Sequence, residues 1–489
     1  MRLGCARPGN RQRLLRSIPT MIPTILLCIA VFGILYIYHV NYAMSGVPED
    51  ARKLSPHRWT TDEVKAAYKK AAYNPVDITE SLPPTQHRRY IVVGGSGLVG
   101  NWIISHLMAR GEDPTAIRAL DLQSPRHELL EAGVTFVKTN IVDQAAVENA
   151  FSQHWAGSVA NLPLTVFHTA ALIRPADRHR TFLPLSSRVN VDGTVNVLSA
   201  AKKAGASCFV STSSGSVCLR RPSFWIAPWA RSPSHFVQIL SDSTELPKEH
   251  GHFFGTYAIS KIEAESIVRA ADDAKANFRT GCIRPANGIY GVGSATSATL
   301  IGLYLRIGGA PTWLFNVIQN FVNAENVSIA HLLYEQRLVE HTSNPGKRPD
   351  IGGQAFIITD PNPAISFGDI YLALTTLATT PIRFPYVPPI SMLIISHFVE
   401  WYVLLRHFYL PWLPKVTGDF ARLQPAVFAI SNPHLIVDDS RARKSPEEGG
   451  LGYDPPLTSL DGVCKELFHW NQLAAERGAA AIMGKGQPF

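Results

Sequence analysis

At 489 residues the chain is longer than one compact domain of ordinary size. Apolar residues make up 46% and charged residues 17%, which excludes general disorder and allows a large core. The formal net charge of +8 invites a polyanionic partner. However, Arg2, Arg7, Arg11, Arg13 and Arg16 crowd ahead of one apolar run, and no later stretch interleaves Lys/Arg with aromatics, so nucleic acid is excluded.

The segment Met21 to Tyr38 carries no charge and is just long enough to cross a bilayer as a helix. With Pro19 and Pro23 at its opening, it predicts an uncleaved transmembrane anchor over 19–40, behind a basic N-terminus over 1–18. A cleaved signal peptide is the alternative, with Ala43 and Ser45 as a small-residue site. The arginines ahead of the run predict a cytosolic N-terminus and a lumenal body. Six scattered cysteines without C-x-x-C or zinc spacing read as reduced thiols and favour the cytosol, so sidedness stays open. No metal site is expected.

Residues 41–87 read as a polar, proline-bearing linker with one short helix near Thr61 to Ala72. Tyr90 to Val93 reads as a buried strand, followed by a glycine turn and a helix from Val99 to Met108. Further strands are expected at Ala116 to Leu120, Val134 to Val137, Thr165 to Phe167, Cys208 to Val210 and Thr280 to Ile283. Strands alternating with helices predict an α/β fold, a Rossmann-type doubly wound parallel sheet over 88–286. A smaller C-terminal substrate lobe is expected over 287–477. Within it, 386–413 is apolar but contains His397, Glu400, Arg406 and His407. It reads either as a helix lying in a membrane interface or as core helices of the lobe. Asn326-Val327-Ser328 is a formal glycosylation sequon. A helix is expected near Ser459 to Arg477, then a disordered tail over 478–489.

Gly94-Gly95-Ser96-Gly97-Leu98-Val99-Gly100 lies between the first strand and its helix. Glycines there permit a tight turn and close approach of backbone N–H groups to a pyrophosphate. Asp121, at the end of the second strand, suits ribose hydroxyls and repels a 2′-phosphate. NAD is therefore expected, with Arg118 and Arg126 leaving NADP open.

The motifs VVGGSGLVG, VFHTAA, NVDGTVNVLSAA, FVSTSSGSV, TYAISK, IRPANGIYG, NFVNAENVSIAH and GQAFIITD occur in register from about Tyr90 to about Asn471. The chain in this respect resembles the extended short-chain dehydrogenase/reductase superfamily, and within it the 3β-hydroxysteroid dehydrogenase group. That group includes the sterol-4α-carboxylate 3-dehydrogenases. The resemblance implies a catalytic Tyr257 and Lys261 (Y-x-x-x-K, one helix face) with Ser214, favoured over Ser213. Lys261 is expected to lower the Tyr257 pKa. It also implies cofactor contacts from Ser96, Gly97, Leu98, Val99, Asn140, Ile141, His168, Ala170, Ala171, Asn190 and Pro285. Asp143 is either structural or part of the adenine turn. The implied reaction is NAD-dependent oxidation of a 3β-hydroxyl on a sterol or triterpenoid, with loss of a C4 carboxylate. The alternatives are a 3β-hydroxysteroid dehydrogenase/Δ5-isomerase and a non-catalytic NAD-binding scaffold. The implied setting is an endoplasmic reticulum membrane shared with other sterol-modifying enzymes. Between Ser214 and Tyr257 the chain is longer than the family pattern. Trp225, Trp229 and Phe236 in that stretch suit a substrate flap, a membrane contact or an ordinary surface insertion.

Overall fold

The computed structural model describes residues 10–293, 299–478 and 482–483. The strands of the main sheet are β1 (Arg89–Val93), β2 (Ile117–Asp121), β3 (Thr135–Lys138), β4 (Leu164–His168), β5 (Ala206–Thr212), β7 (Arg279–Pro285) and β11 (Gln354–Ile358). All seven run parallel, in the order β11-β7-β5-β4-β1-β2-β3. Both faces are covered, which explains why the strands read as unbroken apolar runs rather than alternating ones. Tyr90 and Val92 face one layer, with helices α4 (Leu98–Ala109) and α8 (Ala324–Ser343). Ile91 and Val93 face the other, with α5 (Gln144–Ser152), α6 (Gly193–Lys203) and α7 (Thr256–Ala270).

The smaller lobe holds two short sheets. One joins β8 (Ile289–Tyr290) to β10 (Val322–Asn323). The other is built from β6 (Val237–Leu240), β9 (Ile318–Gln319), β12 (Ile365–Ser366) and β13 (His434–Val437), in the order β12-β9-β13-β6. Helices α9 (Phe367–Leu377), α10 (Pro389–Phe408), α11 (Pro425–Ser431) and α12 (Ser459–Arg477) complete it.

Two boundaries differ from the sequence reading, and the formal sequon is settled. First, the sheet does not end at 286. β11 pairs with β7 in parallel, Gln354 opposite Gly281, so residues assigned to the substrate lobe close the nucleotide-binding sheet. α8, also assigned to the lobe, is buried almost all round beneath it. Second, 41–87 is not a free linker. α2 (Glu49–Leu54) buries Ala51 beside Ile436, and α3 (Thr61–Tyr73) buries Val64 in the core of the lobe. A capping box fixes the start of α3, Thr60 accepting from the Glu63 backbone while Glu63 accepts from Thr60. The sequon is interior. Asn326 is fully buried and donates to Asp360 at 2.7 Å and to the Leu457 carbonyl at 2.8 Å.

Helix α1 (Asn10–Ser45) contains a window long and apolar enough to cross a membrane, by length and composition. Residues 23–32 are exposed, and contact with the body begins at Tyr36. Cys28 is exposed on this helix, while Cys208, Cys218, Cys282 and Cys464 are buried and unpaired. The tail expected over 478–489 lies, apart from 478 and 482–483, outside the described residues.

Candidate active site

Open α/β sheets bind ligands beyond the carboxyl ends of their strands. There Gly94 follows β1 with φ of +84°, a conformation that favours glycine, and its own N–H donates to the Leu120 carbonyl. A Cβ at Gly100 would lie 2.1 Å from the Gly94 carbonyl oxygen, and one at Gly95 would lie 2.8 Å from the Ala119 Cβ. These glycines are therefore required for the turn to close on its helix. Leu98 and Val99 open α4, with Gly97 at its N-cap and no side chain capping it. The N–H groups of its first turn point to where a pyrophosphate would sit.

Asp121 ends β2 and accepts from the Ser96 N–H at 3.0 Å and the Leu122 N–H at 2.7 Å. The two arginines that left NADP open are committed elsewhere. Arg118 is buried, donates to the Ala150, Gln153 and His154 carbonyls and stacks 4.0 Å over Trp155. Arg126 donates to Ser105 and lies over Trp102. The residues present fit NAD: the Gly94–Gly100 turn for its pyrophosphate and Asp121 for its adenosine ribose.

Asn140 follows β3, is exposed, and accepts from the Val142 N–H. Ile141 is buried against Gly193, where a Cβ would come within 2.7 Å of its Cδ1. Asp143 caps α5, accepting from the Ala146 N–H, which decides for its structural reading. His168 ends β4 opposite Val93, beside the glycine turn. Its ring is buried and bonded to Thr194 at 2.9 Å, and burial lowers its pKa to about 3, so it is a neutral packing residue. Ala170 and Ala171, partly exposed, follow it along the cleft. Asn190 lies in a π-helical turn, accepts from the Leu172 N–H at 2.7 Å and donates to Ser260 at 2.9 Å. Pro285 ends β7, and a Cβ on Gly215 would sit 2.9 Å from its carbonyl.

The adjacent serines after β5 diverge. Ser213 is buried and donates to Glu265 at 2.6 Å. Ser214 is partly exposed, bonds Ser216 at 2.8 Å and lies beside the Tyr257 hydroxyl. Tyr257 is on the first turn of α7, and one turn on Lys261 points the same way, donating to the Thr212 carbonyl at 2.7 Å. Burial raises the Tyr257 phenol to about 12, with the Ser214 hydroxyl pulling it back. Burial lowers Lys261 to about 8. The expected lowering of Tyr257 by Lys261 is thus not what governs the free protein; desolvation of both groups does.

The support beneath this pair was not visible in the sequence. Glu265, one further turn along α7, forms a bidentate pair with Arg284, with contacts of 2.8 and 2.5 Å. Thr212 bonds His331 Nε2 at 2.7 Å, and His331 Nδ1 bonds the Val327 carbonyl at 2.7 Å. Burial lowers the His331 pKa to about 4, so the ring is neutral, its Nδ1–H donating to the Val327 carbonyl and its Nε2 accepting from Thr212. The signal available was the apparent helix continuation after Lys261 and the histidine ending NFVNAENVSIAH.

A sequence profile described as the 3-beta hydroxysteroid dehydrogenase/isomerase family matches residues 91–380, more than half of the chain. The chain belongs to this family. It is accordingly an NAD-dependent oxidoreductase. Among its relatives is the human sterol-4-alpha-carboxylate 3-dehydrogenase, decarboxylating, 26% identical over 400 residues, covering 81% of this chain and 91% of that protein. The 3 beta-hydroxysteroid dehydrogenase/Delta 5→4-isomerase of Mycobacterium tuberculosis is 28% identical over 421 residues, covering 81% and 96%. The mouse 3 beta-hydroxysteroid dehydrogenase type 7 is 25% identical over 400 residues, covering 78% and 95%. Among solved structures, the UDP-glucose 4-epimerase of Thermotoga maritima aligns with a TM-score of 0.53 at 17% identity, covering 79% of this chain and 99% of that one. At that identity the likeness speaks to the fold.

Proposed function

We propose that this family member oxidises a 3β-hydroxyl on a sterol or triterpenoid and releases CO2 from an adjacent C4 carboxylate. The observation that carries the oxidation is the convergence of Ser214, Tyr257 and Lys261 at the carboxyl edge of the sheet, beside the NAD turn. Bound NAD supplies the hydride acceptor. Tyr257 takes the hydroxyl proton, Ser214 holds the substrate oxygen, and Lys261 supplies the positive charge that favours the phenolate. Asn190 and Thr212 hold α7 and Lys261 in place.

With a C4 carboxylate present, oxidation yields a β-keto acid. The bond from C4 to the carboxyl carbon breaks, its electron pair enters the enolate, CO2 leaves, and the enolate takes up one proton at C4 from water to give the ketone. Ser214 and Tyr257 stabilise the enolate oxygen. This step needs no second base. A Δ5-to-Δ4 shift does need a group to carry a proton between carbons. Three carboxylates on elements around α7 are tied to arginines: Glu265 to Arg284, Asp177 to Arg174 and Asp242 to Arg441. We favour decarboxylation because Glu265, the carboxylate one turn beyond Lys261, is held by Arg284 and Ser213; similarity does not separate the two reactions, since both a decarboxylating dehydrogenase and a Δ5→4-isomerase are among the relatives. The chain would act in the endoplasmic reticulum membrane, held by α1, beside enzymes that make and use C4-oxidised sterols.

The test is incubation of the purified full chain with NAD and 3β-hydroxysterols, with and without a 4α-carboxylate. NADH and CO2 are expected in equal amounts from the carboxylated substrate. A Δ4-3-ketone without CO2 would overturn the decarboxylating reading, and unchanged turnover in Tyr257→Phe would overturn the catalytic assignment.

A further inference from the structure

Helix α10 is amphipathic in an unusual sense: its inner face holds the polar anchor and its outer face is aromatic. Ile390, Leu393 and Ser396 are buried against the body. Glu400 continues this face and pairs with Arg178 through contacts of 2.5 Å. Beside that face runs a second stripe, Phe398, Trp401, Leu405 and Phe408, at i, i+3, i+7 and i+10. Phe398 is 66% and Trp401 62% exposed. The turn after the helix adds exposed Tyr409 and Trp412, fastened by the bond from Arg406 Nε to the Leu413 carbonyl.

The buried face of α10 packs on α1. The foot of α1, Val40, Ala43 and Met44, shares one buried cluster with Ile390 and Leu393 of α10 and with Phe224, Ile226 and Phe236 of the long segment after Ser214. Phe236 is thus core, packed on His434, and is removed from the candidate surface aromatics. Trp225 bonds His397 of α10 at 3.3 Å, and Trp229 at the tip is 85% exposed. Tyr36 and His39 of α1 donate to the Ile226 and Ala230 carbonyls at 2.9 Å, with the His39 tautomer assigned from its carbonyl partner. So α1 leaves the body where the Trp225–Trp229 segment and the start of α10 meet. Arg231, next to Ala230, and Lys415, three residues beyond Trp412, are exposed.

We infer that the outer face of α10 and the Trp229 tip lie in the interfacial layer of the bilayer that α1 enters. The body is seated on the membrane rather than tethered above it. Aromatic residues flanked by basic ones suit that layer, where rings sit at headgroup depth and cations meet anionic lipid. The seat lies over the catalytic helix. Arg178 follows Asp177, whose carbonyl accepts from the Thr256 N–H at 2.8 Å, one residue before Tyr257. Resting on the proposed function, the mouth of the site would then open at bilayer depth, where a sterol already resides.

The seat is tested by spin labels at Phe398→Cys, Trp401→Cys and Trp229→Cys in the full chain lacking Cys5 and Cys28, reconstituted in phosphatidylcholine/phosphatidylserine vesicles. A label at exposed His127→Cys is the aqueous reference. Labels at 398, 401 and 229 are expected to be relaxed by oxygen and shielded from a water-soluble nickel chelate. Equal access of the chelate to these sites and to 127 would overturn the inference. So would shielding from both reagents, which would mark a protein contact. In a second arm, Phe398→Glu/Trp401→Glu is expected to raise the apparent KM for vesicle-borne sterol at least tenfold, with kcat on a detergent-dispersed substrate unchanged. An equal loss in both deliveries would overturn the role of the seat in access. The depth measurement needs no turnover, so failure of the sterol reading would leave it standing.

Discussion

Ser213 and Ser214 are neighbours of identical chemistry, yet the strand puts them on opposite sides of the sheet edge. This divergence makes a paired prediction. Ser214→Ala is expected to lower kcat by about 10²–10³ while leaving thermal stability nearly unchanged, because the hydroxyl faces the cleft. Ser213→Ala is expected to cost about 1–3 kcal/mol of stability, because a buried carboxylate loses a partner, with activity of the folded fraction retained. Denaturation midpoints and steady-state rates on both variants check this. The motif made Ser214 the better candidate, but Ser213's bond to Glu265 required the fold. The same holds for the His168 ring, whose bond to Thr194 also required the fold.

Titration of the pair also belongs to this scale. A phenol raised to about 12 must lose its proton, so its ionised fraction grows tenfold per pH unit through neutrality. Lys261, lowered to about 8, must keep its proton, so its contribution falls above that pH. The expected kcat/KM at saturating NAD therefore rises from pH 6 to 8 and then flattens. In Lys261→Arg, whose residual activity keeps a fixed charge, the flattening should disappear. At the nucleotide end, Asp121→Asn is expected to raise KM for NAD at least tenfold and narrow the preference over NADP, since the carboxylate that repels a 2′-phosphate is gone. Arg118 and Arg126 remain tied in the variant, so NADP should gain no cation and only lose a repulsion.

At the scale of elements, β1 to β5 and β7 were legible because strand, turn and helix alternate there at regular spacing. β11 was not. Its five residues QAFII read as an apolar run, but nothing local says which sheet they join, and 68 residues separate them from β7. What fixes the pairing is long-range packing. Tyr334 of α8 lies under β7, and its hydroxyl donates to the Ile351 and Gln354 carbonyls at the entry to β11. A Cβ on Gly281 would lie 2.1 Å from the Tyr334 ring. Gly281→Ala is accordingly expected to destabilise the chain by at least about 1–3 kcal/mol through overpacking. Restoration by Tyr334→Leu in the same chain, read by thermal melts, would show that the clash is with that ring. Leu lacks the hydroxyl that ties β11, so the recovery should be partial.

At the scale of the whole molecule, the apolar N-terminal run was plain in the sequence, but its division of labour was not. Hydropathy treats Met21 to Tyr38 as one anchor and the polar residues after it as linker. In the structure the change of role falls near Tyr36, from which the side chains of one helix face enter a shared core. The pattern was hidden because Tyr36, Val40, Ala43 and Met44 recur at helical spacing across the boundary between an apolar and a polar stretch. A chain beginning at residue 33 should thus lose the span yet keep the fold, with its melting transition within a few degrees of the full chain. A chain beginning at 46 removes Val40, Ala43 and Met44, each nearly fully buried. Deleting three such side chains exposes Phe224, Ile226, Ile390, Leu393 and Phe428, at a cost on the order of several kcal/mol. It also removes the ties from Tyr36 and His39 to the Trp225–Trp229 segment. The shorter chain is therefore expected to aggregate or to bind a hydrophobic dye strongly, and the longer one to remain monodisperse in mild detergent. Equal behaviour of the two would show that the foot of α1 is not part of the core.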